Sequence, residues 1–580
     1  MAAASWGAWP QADGTTEFRL WAPAARTVAL LLDGETLPMR ALRHGMFARR
    51  APAAPGAAYR FLIDGEAAVP DPASRAQLGD VHGPSLVIDH GDHAWSHPAW
   101  RGRPWHEAVI CELHVGCLGG FAAVTRQLPA LRDAGYTAVE LMPLGEFPGS
   151  RNWGYDGVLP YAPEASYGSP EELKTLVDTA HGLGMMVLLD VVYNHLGPSG
   201  NDLPRYAPGF FRTDIPTPWG PAIDYRRPRV REFCIDNALM WLRDYRFDGL
   251  RLDAVHTIHP ASFLRGFADR VRSRLPADRH VHLLLENERN DARLLGAGYT
   301  AQWNDDGHNA LHALLTGESE GYYADFARRP LEHVMRMLAE GFVFQGQRDL
   351  RGRRRGHPSG MLPPESFVLF LQNHDQVGNR PLGERLVTLV ARERWRAAMA
   401  LVALCPMIPM FFMGDEWACD TPFLYFTDYH GTLAAQVREG RRAEFAAFAG
   451  FAEPARRAAL PDPNERATFD ASRLRGGDAE EAARTRQWFR HLIDLRMQHL
   501  VPGLPGCRAM GCMPLGERAL AARWRLGDGA TWSLAFNAGD TALRYRPGRY
   551  AVRIHLEAAR EDLLDDELPP ASLAAWHEPP

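Results

Sequence analysis

Eight short apolar segments alternate with helical segments through the middle of the chain, and this alternation constrains the fold more than any other feature. Segment 169–184 is typical of the helices, with a serine cap, proline at the first position, acids in the first turn and a final glycine. Eight strand–helix units predict an α/β fold, a (β/α)8 TIM barrel with insertions. A doubly wound open sheet is the alternative, although no glycine-rich phosphate loop follows the first strand. The strand candidates are Val109–Val115, Ala138–Leu144, Met185–Val192, Gly249–Asp253, Val281–Glu286, Thr300–Asn304, Phe367–Gln372 and Pro406–Met413.

The segments on both sides of the barrel have strand-like patterns instead. Phe18–Trp21 and Val28–Leu32 near the N-terminus, with Asp-Gly turn signals, indicate a β-sandwich. Residues after about 500 return to strands, among them Ala519–Leu526 and Thr531–Phe536. We therefore predict three domains: an N-terminal immunoglobulin-like β-sandwich over 1–95, the barrel over 96–498, and a C-terminal β-sandwich domain over 499–580.

The composition excludes several classes of protein. Of 580 residues, 46% are hydrophobic and 23% charged, and a net charge of −6 favours neither nucleic acid nor an anionic membrane as a partner. The seven cysteines are sparse and form no CxxC pair, which indicates a reducing compartment. The start of the chain lacks the pattern of a signal peptide, and no apolar run approaches the ~20 residues that span a bilayer. These features predict a cytoplasmic protein without a membrane partner.

Three of the apolar runs end on a carboxylate: Asp253, Glu286 and Asp375. Because the C-terminal ends of barrel strands meet at one rim, we expect these acids to lie together. Any one of them could be a helix cap or a surface turn residue. Three together, flanked by Arg251 and His374, predict a site that protonates and displaces a glycosidic oxygen.

Retaining glycoside hydrolysis needs a carboxylate nucleophile and a carboxylic acid about 5 Å apart. Arg251 lies two residues before Asp253, so its side chain points the same way and favours the ionised carboxylate. Glu286 follows three leucines, and partial desolvation raises the pKa of a carboxyl group, as a proton donor requires. Asp375 and His374 could hold sugar hydroxyls in the distorted transition state.

Polar and aromatic residues near the other strand ends extend this site. Asp190–His195 closes the third strand, and His195 can donate to a sugar hydroxyl. A metal is the competing interpretation, but one Asp, one Asn and one His make no specific metal signal, so we expect no metal and no cofactor. Aromatic rings suit the apolar faces of sugars, which favours a functional role for Tyr155, whereas binding and core packing both stay open for Trp219.

Four segments in order, Asp190–His195, Gly249–His256, Glu286–Asn287 and Asn373–Asp375, resemble the signature regions of the α-amylase superfamily of glycoside hydrolases. The resemblance implies retention of the α configuration, with Asp253 as nucleophile, Glu286 as acid/base and Asp375 as transition-state stabiliser. It also implies that the substrate is bound by Tyr155, Asn194, His195, Arg251, His256, Trp303 and His374.

Further segments resemble one family of this superfamily, the maltooligosyltrehalose trehalohydrolases, over nearly the whole chain. They are Cys111–Gly116, Leu285–Asn290, Ala301–Asp306, Leu314–Glu318, Gln372–Asn379, Phe412–Trp417 and Pro422–Asp428. The resemblance implies hydrolysis of the α-1,4 bond next to the terminal trehalose of maltooligosyl trehalose, a substrate made by maltooligosyl trehalose synthase as the functional partner. Trp219 and Arg351 match positions near the trehalose-side subsites.

Two alternatives remain at this stage. A 1,4-α-glucan branching enzyme shares the barrel, the acids and a front sandwich of carbohydrate-binding type, but segments 302–305 and 422–428 favour the trehalohydrolase. A non-catalytic glycan-binding protein would not need Asp253, Glu286 and Asp375 together.

Overall fold

The N-terminal part of the chain forms two antiparallel sheets with a shared core. The computed structural model describes residues 6–217, 220–447, 449–451, 453–558 and 566–580. One sheet has the order β1-β2-β6-β5 and the other β4-β3-β7-β8, with β9 paired to β7. The ring centroids of Phe18 in β2 and Tyr59 in β7 are 4.9 Å apart, which joins the two sheets as a sandwich. These strands are β1 Gly7–Pro10, β2 Thr15–Trp21, β3 Val28–Leu32, β4 Glu35–Pro38, β5 Arg40–Ala41, β6 Met46–Pro52, β7 Ala58–Ile63, β8 Ala67–Val69 and β9 Ser85–Leu86.

All eight predicted barrel strands are present, and they close into a parallel barrel in the order β10-β11-β14-β17-β18-β19-β20-β21. Strand β21 pairs back to β10, so the predicted (β/α)8 fold is confirmed. The hairpins β12–β13 and β15–β16 are insertions after the second and third barrel strands. The strands are β10 Ile110–Leu113, β11 Ala138–Leu141, β12 Gly145–Glu146, β13 Leu159–Pro163, β14 Met186–Val191, β15 Phe211–Thr217, β16 Gly220–Ile223, β17 Gly249–Leu252, β18 His282–Leu285, β19 Ala301–Trp303, β20 Phe367–Leu369 and β21 Ile408–Phe412.

Helices connect the barrel strands, and the helix predicted over 169–184 shows why they form where they do. The Ser169 side chain accepts from the backbone of Glu172, whose carboxylate accepts from the backbone of Ser169, so a capping box starts the helix. The helices are α1 Val115–Leu118, α2 Phe121–Ala134, α3 Pro170–Gly182, α4 Leu203–Tyr206, α5 Pro228–Arg243, α6 Ser262–Arg272, α7 Ala292–Leu295, α8 Asp305–Thr316, α9 Ala324–Ala327, α10 Pro330–Glu340, α11 His374–Gly378, α12 Leu386–Leu389, α13 Arg392–Leu404, α14 Gly431–Glu444, α15 Pro454–Ala458, α16 Arg466–Ala471 and α17 Ala479–Leu495.

The barrel interior changes from apolar to charged along the strand direction. Side chains two residues apart on a strand point the same way, and on four of the strands an apolar interior residue has an acid above it. The apolar layer therefore fills the lower barrel, and the charged layer lies at the C-terminal mouth, where barrel enzymes carry their active sites. The pairs are Ile110 and Glu112, Ala138 and Glu140, Leu188 and Asp190, and Leu284 and Glu286.

The C-terminal part returns to antiparallel strands. A five-stranded sheet, β22-β23-β24-β28-β26, packs against the pair β25–β27 through Ala535, Leu568 and Trp576. The strands are β22 Arg508–Gly516, β23 Ala519–Arg525, β24 Thr531–Asn537, β25 Leu543–Arg544, β26 Val552–Glu557, β27 Glu567–Leu568 and β28 Ser572–Glu578. The domain boundaries stay predictions. Within the described residues, no helix has the length and apolar character needed to cross a membrane.

Candidate active site

Asp253 follows β17 directly and stands at the mouth of the barrel, with its side chain 13% exposed. Arg251 Nη1 donates to its Oδ1 at 2.7 Å, and Asn194 Nδ2 donates to its Oδ2 at 2.6 Å. Both oxygens therefore accept hydrogen bonds, one of them charge-assisted, and these two bonds fix the orientation of the carboxylate.

Glu286 follows β18, the neighbouring strand, and its side chain is 17% exposed. Its Oε2 accepts from the backbone N–H of Ala254, a residue in the left-handed conformation (φ 41°), and lies 3.8 Å from Arg251 Nη2. Burial raises the pKa of Glu286 well above its ordinary value, although the Arg251 guanidinium acts in the opposite direction. Three nearby carboxylates add to the rise: Asp253, Asp305 and Asp375. The raised pKa favours the protonated form of Glu286, which is the form that a general acid needs.

Asp375 lies in the first turn of α11 and is the most exposed of the three acids, at 47%. The side chain of Asn373 caps the helix by accepting from the backbone of Asp375 and Gln376 at 2.9 and 3.3 Å. At the other end of the helix, Asn379 Nδ2 donates to Asp375 Oδ1 at 3.2 Å. Asn373 thus fixes the backbone of Asp375, Asn379 holds one carboxylate oxygen, and nearly half of the side chain stays exposed.

His374 is buried beside Asp375 and is held by Glu112 of the first barrel strand. The backbone N–H of His374 donates to Glu112 Oε2 at 2.9 Å, and its ring Nδ1 lies 2.5 Å from Glu112 Oε1. Burial lowers the pKa of His374, but the carboxylates of Glu112 and Asp375 outweigh it and raise this pKa to about 9. The imidazole is therefore charged at neutral pH, and its ring stacks on Tyr155 with centroids 5.2 Å apart.

Asp190 joins Tyr155 to the arginine beneath the nucleophile candidate. The Tyr155 hydroxyl donates to Asp190 Oδ2 at 2.6 Å, and Arg251 Nη1 donates to the same oxygen at 2.7 Å. Burial is the main cause that raises the pKa of Asp190 to about 6. His195 Nε2 lies 2.8 Å from the carbonyl oxygen of Tyr155, and burial lowers the pKa of this histidine.

The other predicted binding residues lie at different depths. His256 is at the rim, with Nε2 3.6 Å from Glu288 Oε2. Trp303 is fully buried under the site, with the Arg251 guanidinium 4.1 Å from its ring centroid. Arg351 is exposed in a loop, and among the described residues its side chain bonds to none of the acids. Trp219 lies outside the described residues.

Two carboxylates of the site were not singled out from the sequence. Asp305 begins α8 directly after the sixth barrel strand, so the same pattern of an apolar run closed by acids could have found it. Burial, followed by the charge of Asp375, raises its pKa to about 7. Glu140 lies inside the barrel, where neither carboxylate oxygen has a hydrogen-bond partner among the described residues, and burial raises its pKa well above the ordinary value. The described residues contain no His, Cys, Asp and Glu cluster suited to a metal ion.

Comparison with known proteins identifies the family of the chain. A family model described as the alpha amylase catalytic domain matches residues 89–202, and one for a domain of unknown function (DUF3459) matches 507–575. A malto-oligosyltrehalose trehalohydrolase of Deinococcus radiodurans is 43% identical over 512 residues, which cover 85% of this chain and 83% of that protein. The chain belongs to the malto-oligosyltrehalose trehalohydrolase family.

Membership of the trehalohydrolase family confirms the prediction of a glycoside hydrolase with an α-amylase-type barrel. The crystal structure of an alpha amylase candidate from Salmonella typhimurium is 41% identical, with a TM-score of 0.93 over 99% of this chain and all of that chain. A 1,4-alpha-glucan branching enzyme of Nocardia farcinica is 33% identical, but its match covers only 43% of this chain. The trehalohydrolase family thus accounts for far more of the chain than the branching enzyme.

Proposed function

We propose that the protein hydrolyses the α-1,4-glucosidic bond next to the terminal trehalose of maltooligosyl trehalose, releasing trehalose and a maltooligosaccharide. The observation that carries the proposal is the pair of carboxylates around Arg251, in a chain of the trehalohydrolase family. Asp253 accepts hydrogen bonds on both oxygens, whereas Glu286 is partly buried and has a raised pKa. A retaining glycosidase needs two neighbouring carboxyl groups in different surroundings, one to attack the sugar and one to donate a proton.

In the first step, Asp253 attacks the anomeric carbon while Glu286 transfers its proton to the glycosidic oxygen, and trehalose leaves. In the second, the Glu286 carboxylate takes a proton from water, and the hydroxide oxygen displaces Asp253 from the sugar. Two inversions return the α configuration. The Asp375 carboxylate and the charged His374 imidazole bind hydroxyls of the reacting ring, and these contacts tighten as the ring flattens.

The remaining predicted residues complete the substrate site in this proposal. Tyr155 offers a ring face at the reacting sugar, while Asn194, His195 and Trp303 support the groups in front of them. His256 and the exposed Arg351 are proposed to line the trehalose side of the cleft.

The substrate itself implies a preceding reaction. An enzyme must convert the reducing end of a maltooligosaccharide into a trehalose unit, which is the reaction of a maltooligosyl trehalose synthase. The two activities together form a route to trehalose. We also propose a cytoplasmic location, supported by seven cysteines that are all unpaired.

The test compares maltotriosyl trehalose with maltopentaose, which has the same number of glucose units but no trehalose terminus. We expect trehalose and maltotriose from the first and much slower cleavage of the second, with the released maltotriose formed as its α anomer. Equal cleavage of both substrates, absence of trehalose, or new α-1,6 branches on amylose would contradict the proposal.

The roles of the acids are tested with a substrate that needs no proton donor. On maltotriosyl trehalose, Asp253→Ala is expected to be inactive and Glu286→Gln to lose about 10²–10⁴-fold in kcat. On α-maltotriosyl fluoride, Glu286→Gln should still release fluoride, because fluoride leaves without a proton. Turnover by Asp253→Ala would contradict the assignment of Asp253 as the nucleophile. Equal losses of kcat by Glu286→Gln on both substrates would contradict the assignment of Glu286 as the proton donor.

A further inference from the structure

Helix α14 contributes an arginine to the helix that carries Asp375. No side chain of α14 is fully buried, and its contact with α11 is made by hydrogen bonds from one residue. Arg441, near its C-terminal end, donates from Nη1 to Asn379 Oδ1 at 3.0 Å and from Nη2 to the carbonyl oxygen of Gly378 at 2.5 Å. Both acceptors lie at the C-terminal end of α11.

The contact with Asn379 decides which end of its amide faces the active site. A side-chain amide has an acceptor oxygen at one end and a donor nitrogen at the other. Since Arg441 donates to Oδ1, the Nδ2 of Asn379 must face the opposite way, where it donates to Asp375 Oδ1 at 3.2 Å. If Arg441 were absent, the amide could turn over and present its oxygen to the carboxylate, which is a repulsive arrangement.

The guanidinium of Arg441 is itself held in place. It is 4.5 Å from the ring centroid of Phe445 and 5.3 Å from that of Tyr425. Its Nη1 also pairs with Glu444 Oε2 at 3.0 Å, and the other oxygen of Glu444 accepts from the Tyr322 hydroxyl. These contacts leave the Arg441 side chain only 11% exposed, so its orientation is fixed before any substrate binds.

We propose that Arg441 is a positioning residue for the reaction: it orients Asn379, which in turn fixes the carboxylate of Asp375 towards the reacting sugar. This inference rests on the role proposed above for Asp375. It makes α14, which lies outside the eight-stranded barrel, part of the catalytic arrangement. The next residue, Arg442, pairs with Glu439 at 2.9 Å and with the carbonyl of Ala458, so it provides a matched control on the same helix.

The first experiment compares wild type, Arg441→Ala and Arg442→Ala on maltotriosyl trehalose. We expect Arg441→Ala to lower kcat about 10- to 100-fold, since a small misplacement of a group that acts in the transition state has effects of this size. KM and the unfolding midpoint should change little, and Arg442→Ala should keep the wild-type kcat. An unchanged kcat in Arg441→Ala, or equal losses in both variants, overturns the proposal.

The second experiment asks whether Arg441 acts through Asn379. Because the two residues form one chain of hydrogen bonds, the double variant Arg441→Ala/Asn379→Ala should lose no more kcat than Asn379→Ala alone. Losses that multiply would show that Arg441 does not act through Asn379. If Arg441→Ala folds poorly, Arg441→Lys replaces it; one ammonium cannot serve both acceptors as the guanidinium does, so an intermediate kcat is expected. A wild-type kcat for the lysine variant would also contradict the proposal.

The same variants are assayed on α-maltotriosyl fluoride, which has no trehalose unit. If wild type hydrolyses the fluoride but releases no trehalose from maltotriosyl trehalose, the proposed substrate is wrong while the role of Arg441 is still tested. If wild type acts on both substrates and Arg441→Ala matches it on both, only the role of Arg441 fails.

Discussion

Arg251 donates to Asp253 at 2.7 Å from two residues earlier on the same stretch of chain. The same nitrogen donates to Asp190, and the guanidinium lies over the ring of Trp303. One fully buried cation thus serves the nucleophile candidate and the carboxylate that holds Tyr155. The flat guanidinium suits this arrangement, because it presents several N–H groups in fixed directions.

Arg251→Lys is therefore expected to reduce kcat strongly although the charge is kept. Lysine lacks the flat group that lies 4.1 Å from the Trp303 ring centroid and the second nitrogen that lies 3.8 Å from Glu286 Oε2. We expect a loss of about 10²–10³-fold, as for the removal of one preorganised donor. Steady-state kinetics on maltotriosyl trehalose measure the loss, with the exposed Arg265→Lys as control. A kcat within a few-fold of wild type would show that charge alone suffices.

Asp305→Asn is expected to move the alkaline limb of kcat/KM to lower pH. The carboxylate of Asp305 raises the pKa of Glu286, so its removal should let Glu286 lose its proton earlier. With a pKa of about 7 for Asp305 itself, most of this effect is present above neutral pH, where the limb falls. The pH profile checks the shift, and the exposed Asp269→Asn should leave the limb in place. If the alkaline limb of Asp305→Asn stays at the wild-type pH or moves to higher pH, the Asp305 carboxylate does not raise the pKa of Glu286.

Glu112→Gln is expected to change how stability depends on pH. The folded protein holds the pKa of His374 at about 9, above its ordinary 6.5, so the stabilisation is complete below pH 6.5 and is lost as pH rises through 9. The difference corresponds to about 3 kcal/mol at most. Urea-unfolding midpoints at pH 6 and pH 9 should differ in wild type, and less in the variant, whose His374 lacks the Glu112 charge. If the unfolding midpoints of both proteins depend on pH to the same extent, the charge of Glu112 is not the cause of the pH dependence.

Trp303→Phe separates a supporting role from direct contact with sugar. The sequence resemblance implied substrate binding, whereas the structure places the buried ring against Arg251. Phenylalanine keeps the apolar contact but weakens the cation–π interaction, typically worth about 0.5–2 kcal/mol. We therefore expect kcat to fall several-fold with little change in KM. A raised KM at unchanged kcat would instead indicate that Trp303 binds the sugar.

The strand pattern made the barrel and its three acids predictable because both depend on local chain geometry. A short apolar run forms a buried strand, side chains alternate along it, and an acid at its end must stand at the rim. Asp305 obeys the same rule but also has the ordinary position of an acid in the first turn of a helix. The local sequence pattern alone could not show whether Asp305 belongs to the active site or only stabilises the start of α8.

The sequence by itself determined the fold class and the capped helix α3, and it pointed to Asp253, Glu286 and Asp375 as candidate acids, the last of which lies in the first turn of α11. Only the tertiary structure decided how those acids differ, because protonation depends on burial and on charges from distant parts of the chain. Glu112 meets His374 across 262 residues, and Arg441 meets Asn379 across 62. Such pairs have no signature in local sequence: barrel closure and the docking of α14 bring them together, and the low dielectric of the interior makes their charges effective.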